Sequence, residues 1–320
     1  MLAHLKASRP QAEVHLLASD YNAWVVEGNR QVDRLWVYRR VRDAGRVRAR
    51  AAFENLLQFW QLRRERYDWV LVANGDESPR AIRRALAAGG SRCVAYCRDP
   101  AAYARVSDAL AVQPAMHEVD RLLGLLAPLG ISPPARMLLP EYVLPGDASR
   151  FAAAWLAGRG LAAGSYVVLG LGARRAKKQP STAQVLRWSA QLRARWGLAT
   201  VFMWTPGRSG DARYPGDDEV AQPVLDARAP DIHPHRGPVR EALGLIWSAR
   251  ASLFPDSGLM HFAAASPGGV LGFFAETDVS PSPLHWAPRG RKADFLEAAK
   301  SVSEIPDALV YERLGGLLSL

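Results

Sequence analysis

Asp256-Ser257-Gly258-Leu259-Met260-His261-Phe262-Ala263-Ala264-Ala265 lies between two short apolar runs, Ala251–Phe254 and Gly269–Phe274. A strand-like run that passes through Asp-Ser-Gly into an alanine-rich helix, and from there into another strand-like run, reads as a βαβ unit with parallel pairing. Asp or Ser ahead of a glycine caps a helix start, where backbone N–H groups lack partners and the helix dipole is positive. Such a terminus holds a phosphate well. Gly258 lets a ligand come close to the backbone, and His261 in the first turn adds a side-chain donor. A plain N-cap has the same letters, so the residues alone leave both readings open.

The pattern repeats on either side of this stretch. Ser165–Leu171 is strand-like and enters a glycine loop at Gly172, and Ser181–Trp196 is a helix capped by Ser181 or Thr182. Ala199–Trp204 reads as a strand, Pro206–Asp218 as a polar loop and Val239–Ser248 as a helix, and Ala293–Ile305 is expected to be a late helix. His233 and His235 flank Pro234 in what reads as a surface loop. In the first half, Val14–Ala18, Val32–Tyr38, Trp69–Ala73 and Cys93–Cys97 are strand-like. Ala51–Arg66, Pro79–Ala88, Phe151–Leu161 and His117–Leu129 carry helical spacing. In Ala51–Arg66 the spaced apolar residues are Phe53, Leu56, Leu57, Trp60 and Leu62.

Pro133, Pro134, Pro140 and Pro145 crowd the middle of the chain, which is the natural place for a linker. The expectation is an α/β protein of two doubly wound, Rossmann-like parallel-sheet domains facing a cleft, residues 1–145 and 146–320, with ligands beyond the carboxyl ends of the strands.

A second segment, Gly170-Leu171-Gly172-Ala173-Arg174-Arg175-Ala176-Lys177-Lys178-Gln179-Pro180, leaves one of those strand ends. Its cations beside glycines suit a diphosphate and its leaving-group charge, although a solvated basic loop has the same composition. The 320 residues carry 41 Lys+Arg against 31 Asp+Glu, a net charge of +10. That balance favours anionic partners. Arg34–Arg50 is dense in arginine, which suits an anionic membrane surface or a phosphorylated acceptor. No helix-turn-helix, zinc-knuckle or RNP-like pattern supports a nucleic-acid partner. Cys93 and Cys97 lack partners at zinc spacing and read as two buried thiols in a reducing compartment. No apolar run approaches the ~18–20 residues of a membrane span, and no leader pattern opens the sequence, so a cytoplasmic protein is expected. Trp286 reads as a packing residue, with sugar stacking as its alternative.

The two segments together resemble the donor site of glycosyltransferase family 9, the lipopolysaccharide heptosyltransferases. That family has a strand, Gly-Ala, a Lys-x-Trp-Pro stretch opening a helix, then Asp-(Ser/Thr)-Gly-x-x-His-x-Ala-Ala-Ala, a strand, and a loop ending in Thr. Here these are Gly172-Ala173, Lys177-Lys178-Gln179-Pro180, Asp256–Ala265 and Thr277-Asp278. Ser8–Val14, Tyr67–Leu71 and His117–Asp120 resemble weaker features of the family's first half. The sequence departs from the pattern at Gln179 (Trp expected), at Ser266-Pro267-Gly268-Gly269 (Gly-x-Pro expected) and at Ala275 (Gly expected).

The resemblance implies a two-domain GT-B type fold with the acceptor in the first domain and the nucleotide sugar in the second. It implies transfer of heptose from ADP-heptose to a lipopolysaccharide core precursor with inversion. It also implies no resident cofactor or metal, and a place at the inner face of the inner membrane. Gly172, Ala173, Ser257, Gly258, Leu259, Met260, His261 and Thr277 would bind the donor, with Asp256 orienting the loop or touching the donor. One of Lys177 and Lys178 would neutralise the departing diphosphate: counting back from Pro180 selects Lys177, counting forward from Gly172 selects Lys178. The family's first strand and Gly-Asp loop, whose Asp is the proposed general base, have no counterpart here. Met1–Lys6 already resembles the middle of the helix that follows them. The expectation is therefore a reading frame starting roughly 20–30 residues upstream. The alternative is an inactive homologue that binds nucleotide sugar or a partner transferase.

Overall fold

The structure is a computed structural model that describes residues 1–43, 46–173, 175–211, 215–279 and 281–319, without the side chains of 42–47. The chain divides into two compact units, Met1–Leu138 and Leu139–Leu320.

The first unit begins with α1 (Leu2–Ser8), followed by the parallel pair β1 (His15–Ser19) and β2 (Arg34–Tyr38). The two-residue ladder β3 (Arg42–Asp43) and β4 (Arg46–Val47) leads into α2 (Ala49–Arg64). A second parallel sheet follows, β5 (Tyr67–Leu71), β6 (Gly90–Cys97) and β7 (Asp108–Ala111), with α3 (Pro79–Ala88) crossing between β5 and β6. The expected single doubly wound sheet is thus two separate parallel sheets among the described residues. His15 of β1 and Tyr67 of β5 meet by side chain, His15 Nδ1 lying 2.7 Å from the Tyr67 hydroxyl. Cys93 and Cys97 are free thiols buried with Val72, Ile82 and Ala95, and burial pushes the Cys93 thiol up to about 11. The helix expected over 117–129 is shorter, α4 (Glu118–Gly124), and a separate 3₁₀ turn follows at Ala127–Leu129. Pro128 has no N–H to continue the ladder.

The second unit starts with α5 (Gly146–Ala157) and is built on one six-stranded, wholly parallel sheet. Its strands are β8 (Tyr166–Gly170), β9 (Ala199–Met203), β10 (Ile232–His235), β11 (Ala251–Pro255), β12 (Val270–Ala275) and β13 (Ala293–Ala298). The order β10-β9-β8-β11-β12-β13 is that of a doubly wound sheet. β8, β9, β11 and β12 are buried at every residue. Their continuous apolar runs follow from helices covering both faces of a parallel sheet.

The remaining helices are α6 (Thr182–Trp196), α7 (Asp218–Asp226), α8 (Val239–Ser248), α9 (Gly258–Ala265), the short α10 (Pro283–Trp286) and α11 (Asp307–Ser319). Trp188 of α6, Val224 of α7 and Leu314 of α11 share a core with Val167, Leu169, Leu253 and Phe273. α8 and α9 take the opposite face. There the Tyr166 hydroxyl donates to the Leu245 carbonyl, and a methyl at Gly272 would stand 2.7 Å from Met260 Sδ. α6 is entered through a capping box: Ser181 Oγ accepts from the Gln184 N–H while the Gln184 side chain accepts from the Ser181 N–H.

Three expectations are corrected. Residues 293–298 form strand β13, not a helix. Ala, Leu and Glu favour helices, but six residues of β12 offer a parallel partner from Val270↔Ala293 to Ala275↔Ala298. The last helix is α11, beyond the 3₁₀ turn Val302–Glu304. His233 and His235 lie on edge strand β10, where a proline between them is tolerated. His235 is no surface residue: it is buried against Phe151 and Trp155.

Candidate functional site

In a sheet of this order the chain winds outward in opposite directions from β8 and β11. The crevice beyond their carboxyl ends is where such folds take ligands. The two segments singled out in the sequence leave those two ends: Leu171–Pro180 follows β8 and Asp256–Gly258 follows β11. They lie side by side, since a methyl at Gly172 would stand 3.7 Å from Ser257 Oγ. Gly170 makes this close approach possible, because a side chain there would run into the Phe254 ring.

Asp256 and Lys178 join the two loops. Lys178 Nζ donates to Asp256 Oδ2 at 2.5 Å, with side-chain exposures of 7% and 11%. The Asp256 N–H is held by the Phe273 carbonyl at 2.9 Å. The other lysine has different surroundings: Lys177 is 64% exposed, and its Nζ lies 3.2 Å from Glu276. Arg175 approaches the same carboxylate at 3.5 Å. Glu276 follows β12 directly and has φ 55°. A non-glycine residue there carries strain, and the turn directs its carboxylate at the cations of the β8 loop.

Gln179, standing where the resemblance led to a Trp, is buried. Its Nε2 donates to the Ala173 carbonyl at 2.8 Å and to Asp217 Oδ1 at 2.7 Å. The Thr205 N–H donates to the other oxygen of Asp217. Gln179 thereby fixes the bend of the Gly172-Ala173 loop by hydrogen bonds rather than by ring packing.

Ser257 is the N-cap of α9, in extended conformation, but its hydroxyl does not cap the helix. Its Oγ is buried and has no hydrogen-bond partner among the described residues. The N–H groups of Gly258 and Leu259, at the start of α9, have no intrahelical acceptors. Gly258 is exposed, and a methyl on it would meet nothing within 4 Å. Positive helix end, orphaned hydroxyl and open space at Gly258 thus coincide.

Other expected site residues contribute less. The Met260 side chain is wholly buried under the sheet, so only its backbone is available. Its N–H bonds to the Ser257 carbonyl. The ring of His261 meets Trp286 edge-on at 6.1 Å between centroids. Trp286, expected to pack, is 39% exposed. Leu259 is half-buried on α9. The Thr277 hydroxyl donates to Glu297 Oε1 at 2.6 Å. Arg174 lies outside the described residues. Sequence reasoning missed Glu276 and Asp217; the signal available for Glu276 was an acid immediately before Thr277, opposite a cationic loop. Among the described residues, no group of His, Cys, Asp and Glu could hold a metal ion, and no helix is long and apolar enough to cross a membrane.

Two loops meeting at the switch point of a doubly wound parallel sheet define an α/β protein of the class that takes a ligand in that crevice. Residues 57–303 match glycosyltransferase family 9 (heptosyltransferase), and the chain belongs to that family. Three solved structures share its fold. The glycosyl transferase family 9 protein from Veillonella parvula DSM 2008 superposes with a TM-score of 0.79 at 16% identity, over 99% of this chain and 91% of that one. The E. coli ADP-heptose lps heptosyltransferase II gives 0.73 at 20% identity, over 99% and 93%. The E. coli heptosyltransferase WaaC with ADP gives 0.73 at 17%, over 99% and 93%. No curated protein matches the sequence.

Proposed function

We propose that this glycosyltransferase moves heptose from ADP-heptose to a lipopolysaccharide core precursor, with inversion at the anomeric carbon. The observation that carries the reading is the start of α9, where the unpartnered Ser257 hydroxyl and the open face of Gly258 meet a positive helix end at the sheet's switch point. Two of the solved relatives are named for ADP-heptose or were solved with ADP, which points to the same donor class here.

The diphosphate sits on the N–H groups of Ser257, Gly258 and Leu259, with Ser257 Oγ as a further donor. Lys177 is the lysine that neutralises it. Its Nζ is exposed and, among the described residues, held by a surface ion pair of about 0–1 kcal/mol, so a phosphate can take it from Glu276 at little cost. Lys178 is committed to Asp256, and that pair positions the two loops. In the reaction the acceptor hydroxyl oxygen attacks the anomeric carbon from the face opposite the leaving group, and the hydroxyl proton passes to solvent water. The bond to the β-phosphate oxygen breaks, and ADP leaves with both electrons. Donors set in advance where that charge develops lower the barrier, and alignment of acceptor and donor supplies the rest. The first unit is assigned the acceptor and the second the nucleotide sugar.

The test is transfer itself. Purified protein with ADP-heptose and a lipid A–inner-core acceptor is expected to release ADP and add one heptose mass to the acceptor. A folded protein that gives neither product with this donor, yet turns over another nucleotide sugar, contradicts the donor assignment.

A further inference from the structure

The apolar stripe that predicts α2 does not face the core. Phe53, Leu56, Leu57 and Trp60 are 61%, 66%, 47% and 52% exposed, whereas Ala51 and Leu62 are buried. Spaced i, i+3, i+4 and i+7, the four fall within about 100° of the helix circumference. The inner side of α2 is held instead by Phe59 and Leu62 packed with Trp36 and Ala88, and by Asn55 and Gln58 bonding the backbone at Arg39 and Val37.

The border of the stripe is cationic. Residues 48–66 contain Arg48, Arg50, Arg63, Arg64 and Arg66 against Glu54 and Glu65. All five arginines are exposed. Glu54 is paired with Arg39 and Arg50, and Glu65 with Arg34. The Arg64 guanidinium lies 3.4 Å over the Trp60 ring, so cation and aromatic share one surface. Large apolar and aromatic side chains on one helix face, with arginines at its border, match a helix that lies in the headgroup layer of a bilayer. The arginines add attraction to anionic lipid.

We propose that the outer face of α2 docks the protein on an anionic phospholipid surface, inserting Phe53, Leu56, Leu57 and Trp60 among the headgroups while Arg50, Arg63 and Arg64 meet lipid phosphates. This stands independently of the donor reading, which concerns the second unit.

The test is co-sedimentation with vesicles of phosphatidylcholine alone and of phosphatidylcholine mixed with phosphatidylglycerol, alongside sedimentation velocity of the protein without lipid. The wild type is expected to bind the anionic vesicles, less so as salt rises. A Phe53→Ser/Leu56→Gln/Leu57→Gln/Trp60→Gln variant, altered only at exposed positions, is expected to bind at least about tenfold more weakly with an unchanged melting temperature. Arg50→Gln/Arg63→Gln/Arg64→Gln should abolish the preference for anionic lipid. Unchanged binding by the first variant overturns the proposal, as does a wild type that binds neither vesicle. A wild-type dimer that the first variant converts to monomer also overturns it, by showing that a second copy covers the stripe.

Discussion

Lys178 and Asp256, 78 positions apart in sequence, form a buried ion pair that ties the loop after β8 to the loop after β11. Removing one partner of a buried pair leaves the other charged and unpaired, at a cost of about 3–5 kcal/mol. Asp256→Asn is therefore expected to lower the melting temperature of the second unit by about 2–4 °C for each kcal/mol lost. The double change Lys178→Met/Asp256→Leu should recover most of that stability but not ADP binding. Calorimetric melts of the two variants check this.

Lys177 should behave in the opposite way. Its pair with Glu276 is largely in water, so Lys177→Ala should lower the melt by no more than about 4 °C. Loss of one preorganised charge donor at the departing diphosphate should lower kcat by about 10²-fold. Comparing both lysine variants in one melt and one transfer assay separates the positioning lysine from the donor-site lysine.

Gly258 offers a change that touches the ligand and spares the fold. A methyl there meets nothing within 4 Å, and alanine is a better helix former than glycine by up to about 1 kcal/mol. Gly258→Ala should fold at least as stably as the wild type, and Gly258→Val about as stably. Both fill the open space at the α9 N-terminus proposed for the diphosphate, so titration calorimetry should show ADP binding weakened at least about tenfold, more for Val.

His235 gives the second unit a dependence on pH. Burial, aided by repulsion from Arg159, lowers its imidazole from the usual 6.5 to about 4. Between those values the unfolded chain binds a proton that the folded chain refuses, so stability is flat above about pH 6.5 and falls as pH drops toward 4. The loss should reach about 1–3 kcal/mol at the bottom of that window. His235→Phe, packing with Phe151 and Trp155, should flatten the curve between pH 7 and 5 in denaturant melts.

The second unit was the more legible half. Its parallel strands are nearly unbroken apolar runs, and Asp256-Ser257-Gly258 and Gly172-Ala173 mark the two loops where the sheet changes direction. Edge strands were less readable. Residues 293–298 have helix-forming letters and become β13 only because β12 offers a partner, and β10 hides behind Pro234. The α2 stripe was readable as a helix but not as an outward face, since spacing reports a shared side and not what covers it. Local spacing also left the two lysines equivalent; one is buried because a carboxylate from a distant loop reaches it.

The central claim is that the α9 N-terminus is an ADP-sugar site, and thermal shift with ADP, ADP-heptose, UDP, GDP and CMP tests it most directly. At ~100 times its dissociation constant a ligand adds about 2.7 kcal/mol, a rise of about 2–4 °C per kcal/mol. The account predicts that ADP and ADP-heptose alone raise the melt of the wild type, and that Gly258→Val shows no more than about half of that rise while melting at the same temperature without ligand. A cooperative melt that ADP and ADP-heptose leave unmoved, or an equal rise in Gly258→Val, would contradict it.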